Sequence, residues 1–162
     1  MTLQAGQDKV LKELENNKDL NNYLISCIDY FESDNFVFVH GWIPFDFKNM
    51  KFNESWRNGN WEQARWENGF DAWYNGIIIP DKTIVCGHWN TSYAHSNFHN
   101  DGYENLYQVL AKAPNINISQ LSLKQYNKLV NYKPFIDKGI IGLDACTVVS
   151  KKVNCLKLKE EE

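Results

Sequence analysis

The sequence predicts a mixed α/β fold of the α+β kind, in one domain spanning residues 1–162. Three observations carry that expectation. Two short apolar runs, "NFVFVH" at 35–40 and "KTIVCGH" at 82–88, are rich in β-formers and stop beside a glycine and a histidine. Stretches with apolar residues three and four apart flank them, the signature of helices with one buried face. The 162 residues are 43% hydrophobic and 14% aromatic, which is enough to close a core rather than stay disordered.

The elements follow in order. Residues 7–32 read as helix: Val10, Leu11 and Leu14 mark one apolar face, and Leu20, Tyr23, Leu24, Cys27, Ile28 and Phe31 continue it. Asn16 and Asn17 are placed to split this stretch into two helices. A buried strand is expected over 35–40, and a loop over 42–60, where Pro44, Asn53, Asn58, Gly59 and Asn60 accumulate. "WEQARWENGFDAWYNG" at 61–76 predicts a short helix with Trp66, Phe70 and Trp73 on one face. A second strand ends at Gly87 and His88. Residues 89–105, dense in Asn, Ser and His, read as a long loop. "SLKQYNKLVNY" at 122–132 opens with a Ser-x-x-Gln capping box and predicts a helix. The end, from Gly139 onward, reads as two antiparallel strands about a turn near Ser150 and Lys151.

Composition excludes some functions. A formal net charge of -3 argues against a nucleic-acid binder that relies on a broad basic face, and leaves room only for a local patch. No apolar run approaches the roughly 20 residues of a membrane helix, and the polar start has no signal-peptide core. Cys27, Cys86, Cys146 and Cys155 form no C-x-x-C pair, and the expectation is four reduced, buried thiols in a cytoplasmic protein.

The pairing of the two strand ends is the informative feature. In open α/β sheets ligands bind beyond the carboxyl ends of the strands. If the two runs are parallel neighbours, His40 and His88 share one edge, with a glycine beside each to leave room for an ion or a phosphate. Neutral imidazole is a good ligand for zinc, manganese, iron or nickel.

The same residues carry a family resemblance. "FVHGWIP" at 38–44, an arginine in a Trp-rich segment, "VCGHW" at 85–89 and the ending "GIIGLDACT" with "KVN" resemble the C-terminal half of a calcineurin-like metallophosphoesterase. The likeness runs from about Tyr23 to Leu158. It is to the bacterial serine/threonine protein phosphatase-like branch, which also includes diadenosine tetraphosphate hydrolases. It implies a β-sandwich flanked by helices, a two-metal site for manganese, iron or zinc, and a phosphorylated substrate, either phosphoprotein or nucleotide. In that pattern His40 and His88 ligate the second metal. Arg65 binds substrate phosphate, with Arg57 as the other candidate. Asn90 stands where many relatives carry a further histidine.

The family's N-terminal half, with its Gly-Asp-x-His, Gly-Asp-x-x-Asp-Arg-Gly and Gly-Asn-His-Glu motifs, has no counterpart here: the sequence contains no Gly-Asp, Asp-Arg-Gly or Asn-His. A two-metal mechanism needs a bridging group between ions about 3.5–4 Å apart. The expectation is therefore a phosphoester hydrolase domain that is weak or inactive alone. Its alternatives are a non-catalytic binding remnant and one half of a split enzyme.

His95 and His99 have the i, i+4 spacing of a helical metal pair, but without an H-E-x-x-H motif. Asp144 and Cys146 lie two apart near the last strand, so a Cys146–His88 nucleophile pair is conceivable. Six tryptophans between 42 and 89 suit a core and pocket wall, or a stacking platform.

Overall fold

A computed structural model of the chain describes Lys12, residues 14–99 and residues 130–159. The helix expected at 122–132 lies almost wholly outside the described residues, and residues 130–132 are irregular.

Among the described residues, five strands form one mixed sheet: β1 (Tyr30–Glu32), β2 (Phe36–Val39), β3 (Thr83–Cys86), β4 (Phe135–Asp137) and β5 (Ile140–Gly142). The order is β1-β2-β3-β5-β4. The three inner strands β2, β3 and β5 are parallel, and each edge strand is antiparallel to its neighbour. Val37, Ile84 and Ile140 lie side by side across the sheet and are all fully buried. The continuous apolar runs of β2 and β3 therefore fit strands at the centre of a sheet.

The helical elements among the described residues are α1 (Lys18–Ser26), a 3₁₀ turn at Trp56–Asn58, α2 (Trp61–Ala64), α3 (Gly69–Tyr74), α4 (Thr91–Phe98) and α5 (Thr147–Ser150). The core joins Trp42, Ile43, Trp56 and Phe70 to Val37, Ile84, Phe135 and Ile140 of the sheet. Trp42 is fully buried, and its indole N–H donates to the Ile77 carbonyl at 3.0 Å, so its polar atom is satisfied. Burying a side chain the size of Phe70 contributes about 1.5–3 kcal/mol.

Several expectations need correction. The first helical stretch does break at Asn17, whose side-chain oxygen accepts from Leu20 N at 3.0 Å. It ends at Ser26, however, and Phe31 belongs to β1. Tyr23, Ile28 and Phe31 are 66%, 71% and 59% exposed, so that apolar stripe faces outward. The 61–76 segment is two short helices rather than one. Asn60 caps α2 and Asn68 caps α3, and the break between them leaves Trp66 exposed while Phe70 is buried.

Residues 91–98 are helical rather than loop, because Asn90 acts as an N-cap; dense polar residues hid that signal. The C-terminal hairpin is displaced. It is β4 and β5, joined by Lys138 and Gly139, with Gly139 at φ 81. Near Ser150 there is α5 instead of a turn between strands, closed by Lys151 at φ 58. Of the cysteines, only Cys86 is buried; Cys146 is intermediate, and Cys27 and Cys155 are exposed. Among the described residues no helix is long and apolar enough to cross a membrane.

Candidate metal and phosphate site

The carboxyl ends of β2, β3 and β5 meet at one edge of the sheet. Gly87 N donates to His40 O and Leu143 N to Cys86 O, both at 2.9 Å. One step beyond the strands, this register sets His40 beside Gly87; the next step sets His88 between Gly41 and Asp144.

That register alone would separate the two imidazoles, since successive residues of a strand face opposite sides. The local backbone overcomes it. His88 has φ 61, and Trp89 N donates back to Gly87 O at 2.7 Å, closing a three-residue turn centred on His88. The rings of His40 and His88 come within 4.9 Å, centroid to centroid, tilted by 52°. A left-handed conformation costs a non-glycine residue about 1–2 kcal/mol. Such strain collects at functional sites, although Met50, Asp81, Cys146 and Lys151 also have positive φ.

Trp66 stands edge-on to both rings, 5.8 Å from His40 and 5.4 Å from His88, and is 61% exposed. The other tryptophans pack into the core or against other aromatic rings.

His40 is held below the ordinary histidine range. Partial burial is the largest cause, and the neighbouring His88 and Arg65 push the same way; Asp144 pulls the pKa back up. A neutral imidazole is the form that binds a metal.

Arg65 is close enough for its charge to act on His40. Its guanidinium donates to Asp29 at 2.6 Å, and its Nε lies 3.4 Å from Trp61 O. Arg57 is engaged elsewhere, in a fork on Glu32 at 2.5 and 2.8 Å and 4.4 Å above the Trp56 ring. The Asn90 side-chain oxygen caps α4 by accepting from Tyr93 N at 3.3 Å, and it also accepts from the Ser92 hydroxyl.

The donor set fits part of a metal shell. Two imidazoles on one edge are suitable ligands, yet among the described residues no three His, Cys, Asp or Glu side chains gather into a metal-binding group. His95 and His99 form no such group either. His95 Nε2 lies 3.2 Å from Lys133 O, His99 pairs with Asp137 at 3.3 Å, and both rings pack on Phe135. Cys146 lies beyond the end of β5 as the N-cap residue of α5, with φ 48, rather than on a strand face with Asp144.

Sequence reasoning anticipated the meeting of His40 and His88 and missed the place of Trp66 and Asp144. The "GIIGLD" run held a signal for the latter, because it repeats the pattern of an apolar strand, a glycine and an ionisable residue. No family profile matches the chain, and no curated protein or solved structure is significantly similar to it.

Proposed function

We propose that this chain is the C-terminal half of a metallophosphoesterase-type β-sandwich, working in the cytoplasm on a phosphorylated substrate, either phosphoprotein or nucleotide. His40 and His88 hold one divalent ion, manganese, iron or zinc, and Arg65 meets the substrate phosphate. The observation that carries this reading is the convergence of His40 and His88 at the ends of parallel strands, achieved through a strained turn at His88.

When bound, the metal supplies Lewis acidity toward a phosphoryl oxygen. The residues themselves do the rest. His40 and His88 present the imidazole nitrogens that fix the ion's position. Trp66 stands edge-on to both rings and walls one side of the pair. Arg65, on leaving Asp29, offers a planar fork to phosphate oxygens. Asn90 reaches the ion only by giving up its cap on α4.

Two imidazoles leave most of the coordination to water. That favours a domain whose hydrolysis is weak alone and complete only with a second set of ligands, over a self-sufficient enzyme. The test is calorimetric titration of the full chain with Mn²⁺, beside His40→Ala and His88→Ala, and hydrolysis of p-nitrophenyl phosphate by each. Binding by the wild type that both variants lose, with hydrolysis near background, is the expected result. Equal Mn²⁺ binding by all three proteins overturns the site.

A further inference from the structure

The third parallel strand brings a carboxylate to the edge where the two histidines meet. β5 ends one residue past Ile141, and Leu143 N bonds to Cys86 O at 2.9 Å, which ties the chain after β5 to the end of β3. Asp144 follows. Its carbonyl accepts from Thr91 N at 2.8 Å, at the first turn of the helix that begins just after His88. Its carboxylate accepts from Cys146 N at 2.6 Å, which holds the side chain in the turn that follows β5. Two independent backbone bonds therefore fix Asp144 against the segment that carries His88.

Among the described residues, Arg65 and Asp144 are the charged side chains that act on His40. Arg65 is neutralised by Asp29 at 2.6 Å. Asp144 has no ion pair among the described contacts, and its carboxylate acts on His40 through space. The register of β3 and β5 sets Asp144 beside His88, so the edge carries two imidazoles and one carboxylate, an arrangement that attracts a cation.

We propose that Asp144 is a positioning residue for the ion held by His40 and His88, supplying the negative charge from the end of β5 and accepting hydrogen bonds from the ion's water ligands. This rests on the metal reading above. A carboxylate beyond direct ligand distance is a common partner of a histidine-held metal, and its loss typically weakens affinity 10–100-fold. With Asp144, the three inner strands β2, β3 and β5 each end in one component of the same site.

The experiment is Mn²⁺ titration of the full chain by calorimetry and by the electron paramagnetic resonance of free Mn²⁺. It compares wild type, Asp144→Asn, Asp144→Glu and His88→Ala, with thermal melting of each. The Asp144→Asn amide can still accept from Cys146 N, so the turn survives. The expected result is binding about tenfold weaker in Asp144→Asn, largely recovered in Asp144→Glu, at closely similar melting temperatures. A steeper salt dependence of binding in wild type than in Asp144→Asn is expected as well. If Asp144→Asn binds as wild type does while His88→Ala fails to bind, this inference falls and the metal reading stands. If wild type binds no Mn²⁺, both fall.

Discussion

Gly41 lies so close under the Arg65 carbonyl that a Cβ at position 41 would stand 2.5 Å from that oxygen and 2.8 Å from the carbonyl oxygen of Ala64. Both neighbours are backbone, so no side-chain rotation relieves the clash. The contact docks the α2 segment on the end of β2, an attachment completed by Trp42 N donating to Ala64 O at 3.0 Å. Gly41→Ala should cost about 1–3 kcal/mol, the usual range for overpacking. Because His40 is adjacent, the same change should weaken Mn²⁺ binding. Urea denaturation together with calorimetry checks both; an unshifted urea midpoint contradicts the packing argument.

The turn at His88 predicts an ordering of variants. His88→Gly relieves about 1–2 kcal/mol of left-handed strain and gives back about 0.5–1 kcal/mol in unfolded-chain entropy. His88→Ala keeps the strain and loses the ring contacts to His40 and Trp66. His88→Gly should therefore melt above His88→Ala, and both should lose Mn²⁺ binding. The reverse order in thermal melts would show that the strain is not what the backbone angle implies.

Asn90 has one side-chain oxygen and two uses for it. As the α4 cap it contributes about 1 kcal/mol. Asn90→Ala should lower stability by about that amount and leave Mn²⁺ affinity within about twofold, because the oxygen is committed to Tyr93 N. A tenfold loss of Mn²⁺ affinity in Asn90→Ala would instead make it a ligand. Asn90→Asp, which also caps, should restore the stability.

Glu32 gives a pH signature away from the site. Its hydrogen bond from Arg57, with a second from Lys82, lowers its pKa to about 2. In the unfolded chain a glutamate titrates near about 4.3. The folded value is the lower one, so the stabilisation is fully present above the unfolded value and fades as pH falls toward the folded one. The side chain is 21% exposed and its partner Arg57 46%, so solvent screening limits the effect to about 1 kcal/mol. Glu32→Gln should be less stable than wild type at pH 7, with the gap closing between about pH 5 and pH 2. A gap constant across that range would mean that the ion pair contributes nothing.

How much was legible depended on whether a signal was local. β2 and β3 were legible because continuous apolar runs ending at glycine mark buried strands, and the break at Asn17 because asparagine caps a helix. α4 was obscured because Asn90, Thr91 and Ser92 read equally as loop and as helix start. The C-terminal hairpin was displaced because the Lys138-Gly139 turn was overlooked while the β-branched Val148 and Val149 suggested a strand. Within the site, the sequence placed two histidines at matching strand ends but could not show that they were one step out of register. The turn that corrects this is a tertiary feature. Trp66 was assigned to a buried helical face because the helical spacing ran unbroken through Asn68, where the chain starts a new helix.

The strand order also sets a sequence of events during folding. β4 and β5 are joined by two residues and can pair soon after collapse. β2 must find β3 across the whole tryptophan-rich segment, with Phe36 opposite Thr83. β3 must find β5 with Ile84 opposite Ile140. Such distant pairings carry the largest loop-closure cost and form late. His40, His88 and Asp144 each follow a different one of these three strands. The edge proposed to hold the ion therefore has no partial existence in the unfolded chain, and on that proposal Mn²⁺ should slow unfolding without accelerating the early steps of refolding.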